Sequence, residues 1–276
     1  MSVDIDFLSR VYFAFDEPIP YKLKEGQITI SPILLKNSEL FLSCYDILGI
    51  DKNSMPDARI IQMSYLQFIC EILFCDEKAG SVYSTKLGFI LENCLGLRMA
   101  QVYSPDGRRY FIKDYEQNVT ISAKEFDDIR KIILYQNFPK YDDSYINPDL
   151  KKAMEEEDAV RNKGIDSPNL ERRMAIITSH CGISKKEQME MTYRSHNMLF
   201  EEVVGEVEFT TVRNAALIGG GADKLEHWIF KKKKDKFDGY ITSVDTFAKK
   251  MGGSGQVKTV EGTSEGKYLQ NLNNFN

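Results

Sequence analysis

The segment "NSMPDARIIQMSYLQFICEILF", residues 53–74, restricts the fold more than any other part of the chain. Its apolar residues Ile60, Ile61, Met63, Leu66, Phe68, Ile69, Ile72 and Leu73 follow helical spacing but cover more than one face. A helix that is apolar on several sides must be surrounded by other elements. Ser54 is placed to cap it, Pro56 falls in its first turn, and Asp57 suits the positive end of the helix dipole. "STKLGFILENCLGL" supplies a packing neighbour, in which Gly88 and Gly96 permit close approach at some cost in helix stability. A sizeable core is therefore required, and 276 residues allow one large domain or two ordinary ones.

The elements that close around this helix mix strands and helices. "RVYFAFDEPIPYK" alternates with Val11, Phe13 and Phe15 on one face, and "GQITISPI" repeats the period with Ile28 and Ile30. The two predict an antiparallel pair across a proline-containing connection. Leu40, Phe41, Cys44, Ile47 and Leu48 follow at helical spacing, with Gly49 as a stop. "MAQVYSPDGRRYFIKD" reads as a hairpin turning on Pro105, Asp106 and Gly107, and "NVTIS" adds a third strand. Ser122 and Glu125 then form a capping box ahead of a helix through Ile129, Ile132, Ile133 and Leu134. Residues 1–138 are thus predicted as an α+β domain of short antiparallel strands with packed helices.

From Pro139 the chain becomes polar. Asn147 and Pro148 start, and Gly164 ends, a solvated helix bearing the acidic run Glu155–Asp158, so residues 139–165 are expected as a connector. An all-helical module over 166–251 follows: Ser167 and Pro168 open a helix ending at Gly182, and Ser184 with Glu187 makes a second capping box. Thr192 starts a long apolar-striped segment, read as one helix or as two broken at Gly205. Residues 252–276, rich in glycine, asparagine and serine, are expected to form a flexible tail.

Composition excludes several functional classes. The net charge of −5 argues against a protein that neutralises many phosphates. No apolar run reaches the length of a membrane span, and the acids near the N-terminus do not suit a signal peptide. Five cysteines without C-x-x-C spacing suggest neither disulfides nor a zinc ribbon; Cys44, Cys70 and Cys94 read as small buried hydrophobes. His180, His196 and His227 lie far apart, outside any catalytic or metal-binding motif. No catalytic residue, cofactor or metal site is expected.

One stretch invites a functional reading, "ALIGGGADKLEHWIFKKKK". Its glycines lack the following Gly-Lys-Ser/Thr order of a phosphate loop, and the segment before them reads helical, which disfavours a dinucleotide loop. Gly219, Gly220 and Gly221 are instead expected to stop a helix and act as a hinge. Beyond them Leu225, Trp228 and Ile229, at i, i+3 and i+4, form with Phe230 a candidate partner-binding stripe. Lys231–Lys234 are read as solvated.

The blocks "PIPYKLKEGQITISPI" and "DKNSMPDARIIQMSYLQFICEIL" resemble the first part of tail assembly chaperones of tailed bacteriophages. "EQMEMTYRSHNMLFEEV" and "AALIGGGADKLEHWIF" look like the helical extension of the long, frameshifted form of such proteins. The hairpin around Pro105 and the acidic connector have no counterpart in that pattern. The resemblance implies a non-enzymatic protein of the host cytoplasm that binds the tape measure protein and keeps it soluble while tail tube subunits polymerise. Tail tube subunits and a second copy of the chain are further candidate partners. The alternatives are a structural or accessory protein of the phage tail or baseplate and, in another class, a nucleotide- or nucleic-acid-binding enzyme using Gly219–Gly221.

Overall fold

The computed structural model describes residues 3–52, 55, 57–143, 148–161, 167–220, 225 and 227–230. The chain divides into two compact units, Met1–Tyr145 with Gly164–Trp228, and Ile146–Lys163 with Ile229–Asn276. The fold is α+β, as predicted: helices dominate, and two small antiparallel sheets accompany them.

In the first unit, helix α1 (Ile5–Val11) leads through a 3-10 turn (Phe13–Phe15) to a hairpin of β1 (Ile19–Leu23) and β2 (Gly26–Ile30). The predicted hairpin exists, but its first strand lies eight residues later than the alternation of Val11, Phe13 and Phe15 suggested. Asp4 accepts the Phe7 amide at 2.9 Å and starts a helix, so those three side chains do not share a buried strand face. Phe13 is buried, while Phe15 is 70% exposed. The connection is a tight turn that closes the Leu23–Gly26 pair, and Pro20 lies within β1.

Helices α2 (Ser38–Cys44) and α3 (Asp46–Gly49) follow. The expected single helix of residues 54–74 is three pieces instead, α4 (Ala58–Gln62), α5 (Tyr65–Phe68) and a π-helical turn over Ile69–Leu73. Met63 turns extended and Ser64 caps a fresh start, its side chain accepting the Gln67 amide. The Tyr65 amide, released by that break, donates to Asp127 at 2.8 Å, so the interruption leaves it satisfied. Asp57 caps α4 through the Arg59 amide; Ser54 and Pro56 lie outside the described residues.

Helix α6 (Gly80–Leu95) ends at Gly96 in the left-handed conformation, and the second sheet follows in the order β3 (Ala100–Tyr103), β4 (Phe111–Asp114), β5 (Val119–Ser122). Ser122 and Glu125 form the predicted capping box of α7 (Ala123–Asn137). Glu125 also accepts the Lys24 amide at 2.7 Å, and an isolated bridge joins Glu25 to Thr120, so the two sheets meet here. The core lies among α5, α6, α7 and both sheets, with Phe41, Phe68, Phe126, Leu66, Ile90 and Ile129 fully buried.

Residues 167–228 belong to the same compact unit as residues 3–143. Helix α9 (Leu170–Cys181) is capped by Asn169 rather than by Ser167, since its side chain accepts the Arg172 amide at 2.9 Å, and it closes at left-handed Gly182. Ser184 and Glu187 cap α10 (Lys185–Met189) as predicted. Thr192 caps α11 (Tyr193–Gly219), 27 residues that run unbroken through Gly205. In the second unit the described residues form α8 (Pro148–Arg161), on which Glu155–Asp158 are exposed. Asn147, Gly164, Gly221, Lys231–Lys234 and the predicted tail lie outside the described residues.

Asp114 fixes the second sheet. It is fully buried, and its carboxyl oxygens accept the amides of Met99, Glu116 and Gln117 at 2.9, 3.0 and 2.7 Å. Replacing one partner of a buried network leaves the others unpaired at about 1–3 kcal/mol each. Asp114→Ala is expected to lower unfolding stability by about 3 kcal/mol or more, measured by urea denaturation; a loss below about 1 kcal/mol would contradict this role.

Candidate protein-binding surface

The start of α11 is fastened to the body by segments far apart in sequence. Ile33 accepts the Tyr193 amide and Leu35 donates its amide to Met191, both at 2.8 Å, around a bridge between Leu34 and Thr192. Asp16, at φ 57°, turns its carboxylate onto the same point. One oxygen accepts the Thr192 hydroxyl at 2.7 Å and the other the Ser195 hydroxyl at 2.6 Å. Thr192 accepts the Ser195 amide at 3.1 Å while donating to Asp16, so one hydroxyl both caps the helix and ties it down. From α7, Asn137 accepts the Ile33 amide at 2.9 Å, and the Tyr135 carbonyl accepts from Arg194 at 3.0 Å. A cleft of about 420 Å³ lies beside this junction, lined in part by Asp16, Asn93, Glu190 and Thr192.

The first half of α11 packs on α9, where Met174, Ile177, His196 and Val203 are buried. Both ring nitrogens of His196 lack a hydrogen-bond partner among the described residues. Burial, reinforced by the Arg173 guanidinium, lowers its pKa below the ordinary histidine value of 6.5. The imidazole is therefore carried as a neutral, largely apolar ring.

Beyond Val204 the helix loses its cover. Residues 206–219 are exposed apart from half-buried Phe209 and Ala216; Val207 is 42%, Leu217 62% and Ile218 91% exposed. One side near Gly205 is occupied by Trp228, a residue of the predicted partner-binding stripe. A Cβ at position 205 would stand 2.8 Å from the Trp228 ring. The indole N–H donates to Glu202 at 3.2 Å, and the ring lies against His227 and Phe209 with centroids 4.1 and 5.3 Å away.

The candidate stripe is therefore divided. Trp228 folds back onto α11, Leu225 is half-buried outside any helix, and Ile229 is 61% exposed. Trp228–Phe230 form a 3-10 turn, so the i, i+3, i+4 spacing of Leu225, Trp228 and Ile229 does not fall on an α-helix; the Phe230 side chain lies outside the described residues. Among the expected hinge glycines, Gly219 is the last residue of α11 and Gly220 has φ 77°, a conformation that suits glycine at a helix end. This is the carbonyl end of a helix, where the partial charge is negative, whereas phosphate loops use the amide end.

The sequence pattern did not single out the bare half of α11. The spacing of Val204, Val207, Thr211 and Ile218 was available, but the same stripe is equally compatible with burial.

A second cleft, of about 550 Å³, lies between α6 and β3 and is lined by both apolar and polar residues, among them Phe74, Leu87, Leu91, Ser84, Gln101 and Ser104. Cys70 and Cys94 are buried, which pushes both thiols up to about 12. Cys44 is only partly buried, and Cys75 and Cys181 are exposed. Among the described residues no group of three or more His, Cys, Asp or Glu is arranged to hold a metal ion, and no helix is long and apolar enough to cross a membrane. No protein-family model, curated protein or solved structure matches the chain.

Two outcomes follow from this geometry. Gly205→Ala places a methyl where the indole lies, so Trp228 is expected to leave the helix and its fluorescence to shift to the red. The helix itself gains up to about 1 kcal/mol in propensity; unchanged emission would refute the contact. For His196, unfolded and folded states are both neutral above pH 6.5. Below that the unfolded chain takes up its proton first, so stability falls by up to about 1.4 kcal/mol per pH unit until the folded imidazole also titrates at its depressed value. Thermal unfolding between pH 7.5 and 5 should show this slope, and His196→Leu should flatten it.

Proposed function

We propose that this protein is a non-enzymatic assembly chaperone of the phage tail type, in its long form, whose partner is the tape measure protein. The observation that carries the reading is the second half of α11: a helix anchored at one end, with Val207, Leu217 and Ile218 left in water. Exposed apolar residues at helical spacing suit a partner that brings an apolar helical face of its own. A very long helical polypeptide offers such faces repeatedly, and covering them keeps it soluble until tube subunits replace the chaperone. The work is done in the host cytoplasm and calls on binding surface rather than on a reaction. The resemblance of residues 18–33, 51–73, 187–203 and 215–230 to tail assembly chaperones supports the same reading.

Coexpression tests it. The soluble fraction of the tape measure protein should rise several-fold with the intact chain and fall back when Val207 and Ile218 are both replaced by aspartate. No gain in solubility with the intact chain would overturn the proposal. Presence of the chain in purified mature particles would favour a structural tail or baseplate protein instead, because a chaperone leaves before the tail is complete.

A further inference from the structure

Strand β3 is the outer strand of the second sheet: β4 lies on one side of it, and among the described residues no strand lies on the other. Its register with β4 decides which backbone groups face that free side. Ala100 pairs with Asp114 and Val102 with Ile112, and one step before them the Tyr115 amide donates to the Met99 carbonyl at 3.4 Å. Met99, Gln101 and Tyr103 are therefore the residues bonded to β4. Bonded and non-bonded pairs alternate along an antiparallel ladder, so Ala100 and Val102 turn their amides and carbonyls outward. These groups have no hydrogen-bond partner among the described residues. Edge strands are ordinarily guarded by charge, proline or a bulge, and Ala100–Tyr103 carries none of these.

The cleft of about 550 Å³ runs along this edge, since all of Ala100–Ser104 line it although side chains alternate between the two faces of a strand. Ala100 and Val102 pack toward the core, while Tyr103 stacks on Phe111 on the outer face. Opposite, α6 presents Ser84, Leu87, Gly88 and Leu91, at i, i+3, i+4 and i+7 on one helical face. A Cβ on Gly88 would meet nothing within 4 Å, so the gap is open at its middle. From Ser84 to Leu91 the helix rises about 10 Å, the length of three residues of extended chain. The lining holds no charged side chain, and the Ser104 hydroxyl is buried there without a partner among the described residues.

We propose that β3 takes an extended peptide from a partner protein as a fourth strand of this sheet, with uncharged side chains where the peptide faces α6. The outward amides and carbonyls define the occupant as a strand, because a helix satisfies its own backbone groups and would leave these unmet. The neutral lining selects its side chains: a charge facing Leu87 and Leu91 would lose its water and gain no partner. A second copy would have to bring its β3 with β4 already attached, whereas a cleft of this volume, walled by α6, takes a ligand of a few residues. No residue of α11 lines the cleft, so the site is independent of the surface assigned above.

The probe is a fluorescein-labelled nonapeptide with a lysine at each end and threonine and valine alternating between them, valine at the centre. It is compared by anisotropy with a form N-methylated at its valines, which would lie opposite Ala100 and Val102, and with one carrying aspartate at the centre. The full-length chain should bind the parent peptide and bind both others at least about tenfold more weakly. Amide exchange at Ala100 and Val102, followed by NMR, should slow at least about tenfold on binding. Val102→Pro removes one outward donor and no bond to β4, and should weaken binding. Gly88→Leu fills the gap and should abolish binding with the thermal midpoint held or raised. No binding at about 1 mM peptide, equal binding of the methylated form, or unchanged binding by Gly88→Leu would overturn the proposal. So would a dimer in which both amides are already protected and which Gly88→Leu splits, since that assigns the edge to a second copy.

Discussion

The position of α11 depends on one carboxylate. Asp16 accepts two hydroxyls, from Thr192 and Ser195, that lie 176 and 179 residues further along the chain. Closing so long a loop costs conformational entropy, although that cost grows only slowly with length. The return comes from several bonds formed at one place: the two hydroxyls on Asp16, the amides exchanged among Ile33, Leu35, Met191 and Tyr193, and the Asn137 side chain that holds Ile33 from α7. Each is modest alone, at about 1 kcal/mol net. Together they fix the direction in which a 27-residue helix leaves the body.

Anchoring at one end and exposure at the other give α11 two characters. Near its start it is part of the core: His196 is carried as a neutral ring beside Met174 and Ile177, and Tyr193 packs edge-on to Phe138 with centroids 5.9 Å apart. Past Val204 it becomes a ledge, backed on one side by Trp228 and open along Val207, Thr211 and Ile218. Gly205 marks the change. It stands inside a helix, where glycine ordinarily weakens the structure by about 1 kcal/mol, because only a residue without a side chain leaves space for the indole.

Local signals were read well wherever a side chain closes its own backbone. The capping boxes at Ser122 and Ser184, the cap at Thr192 and the left-handed stop at Gly182 involve partners a few residues apart, and each is found where the pattern placed it, whereas Gly96, read as a glycine for close approach, instead ends α6 in the left-handed conformation. Periodicity was less reliable where two periods compete. Val11, Phe13 and Phe15 alternate like a strand, yet Asp4 starts a helix ahead of them. Residues 58–73 look like one helix until Ser64 captures a backbone amide and Asp127, sixty-two residues away, satisfies the other.

The sequence by itself determined the mixture of short strands and helices, the caps that start α7, α10 and α11 and the demand for a shared apolar core, because these follow from capping chemistry and residue spacing within a few turns. Tertiary structure decided what remains bare. Trp228, the most conspicuous residue of the candidate stripe, lies against Gly205, while Ile218, whose spacing is equally compatible with burial, is 91% exposed. Neither outcome is written in local spacing: an apolar stripe is the same string of residues whether or not another element lies on it, and only the long-range contacts that set the course of α11 determine which part of it is covered.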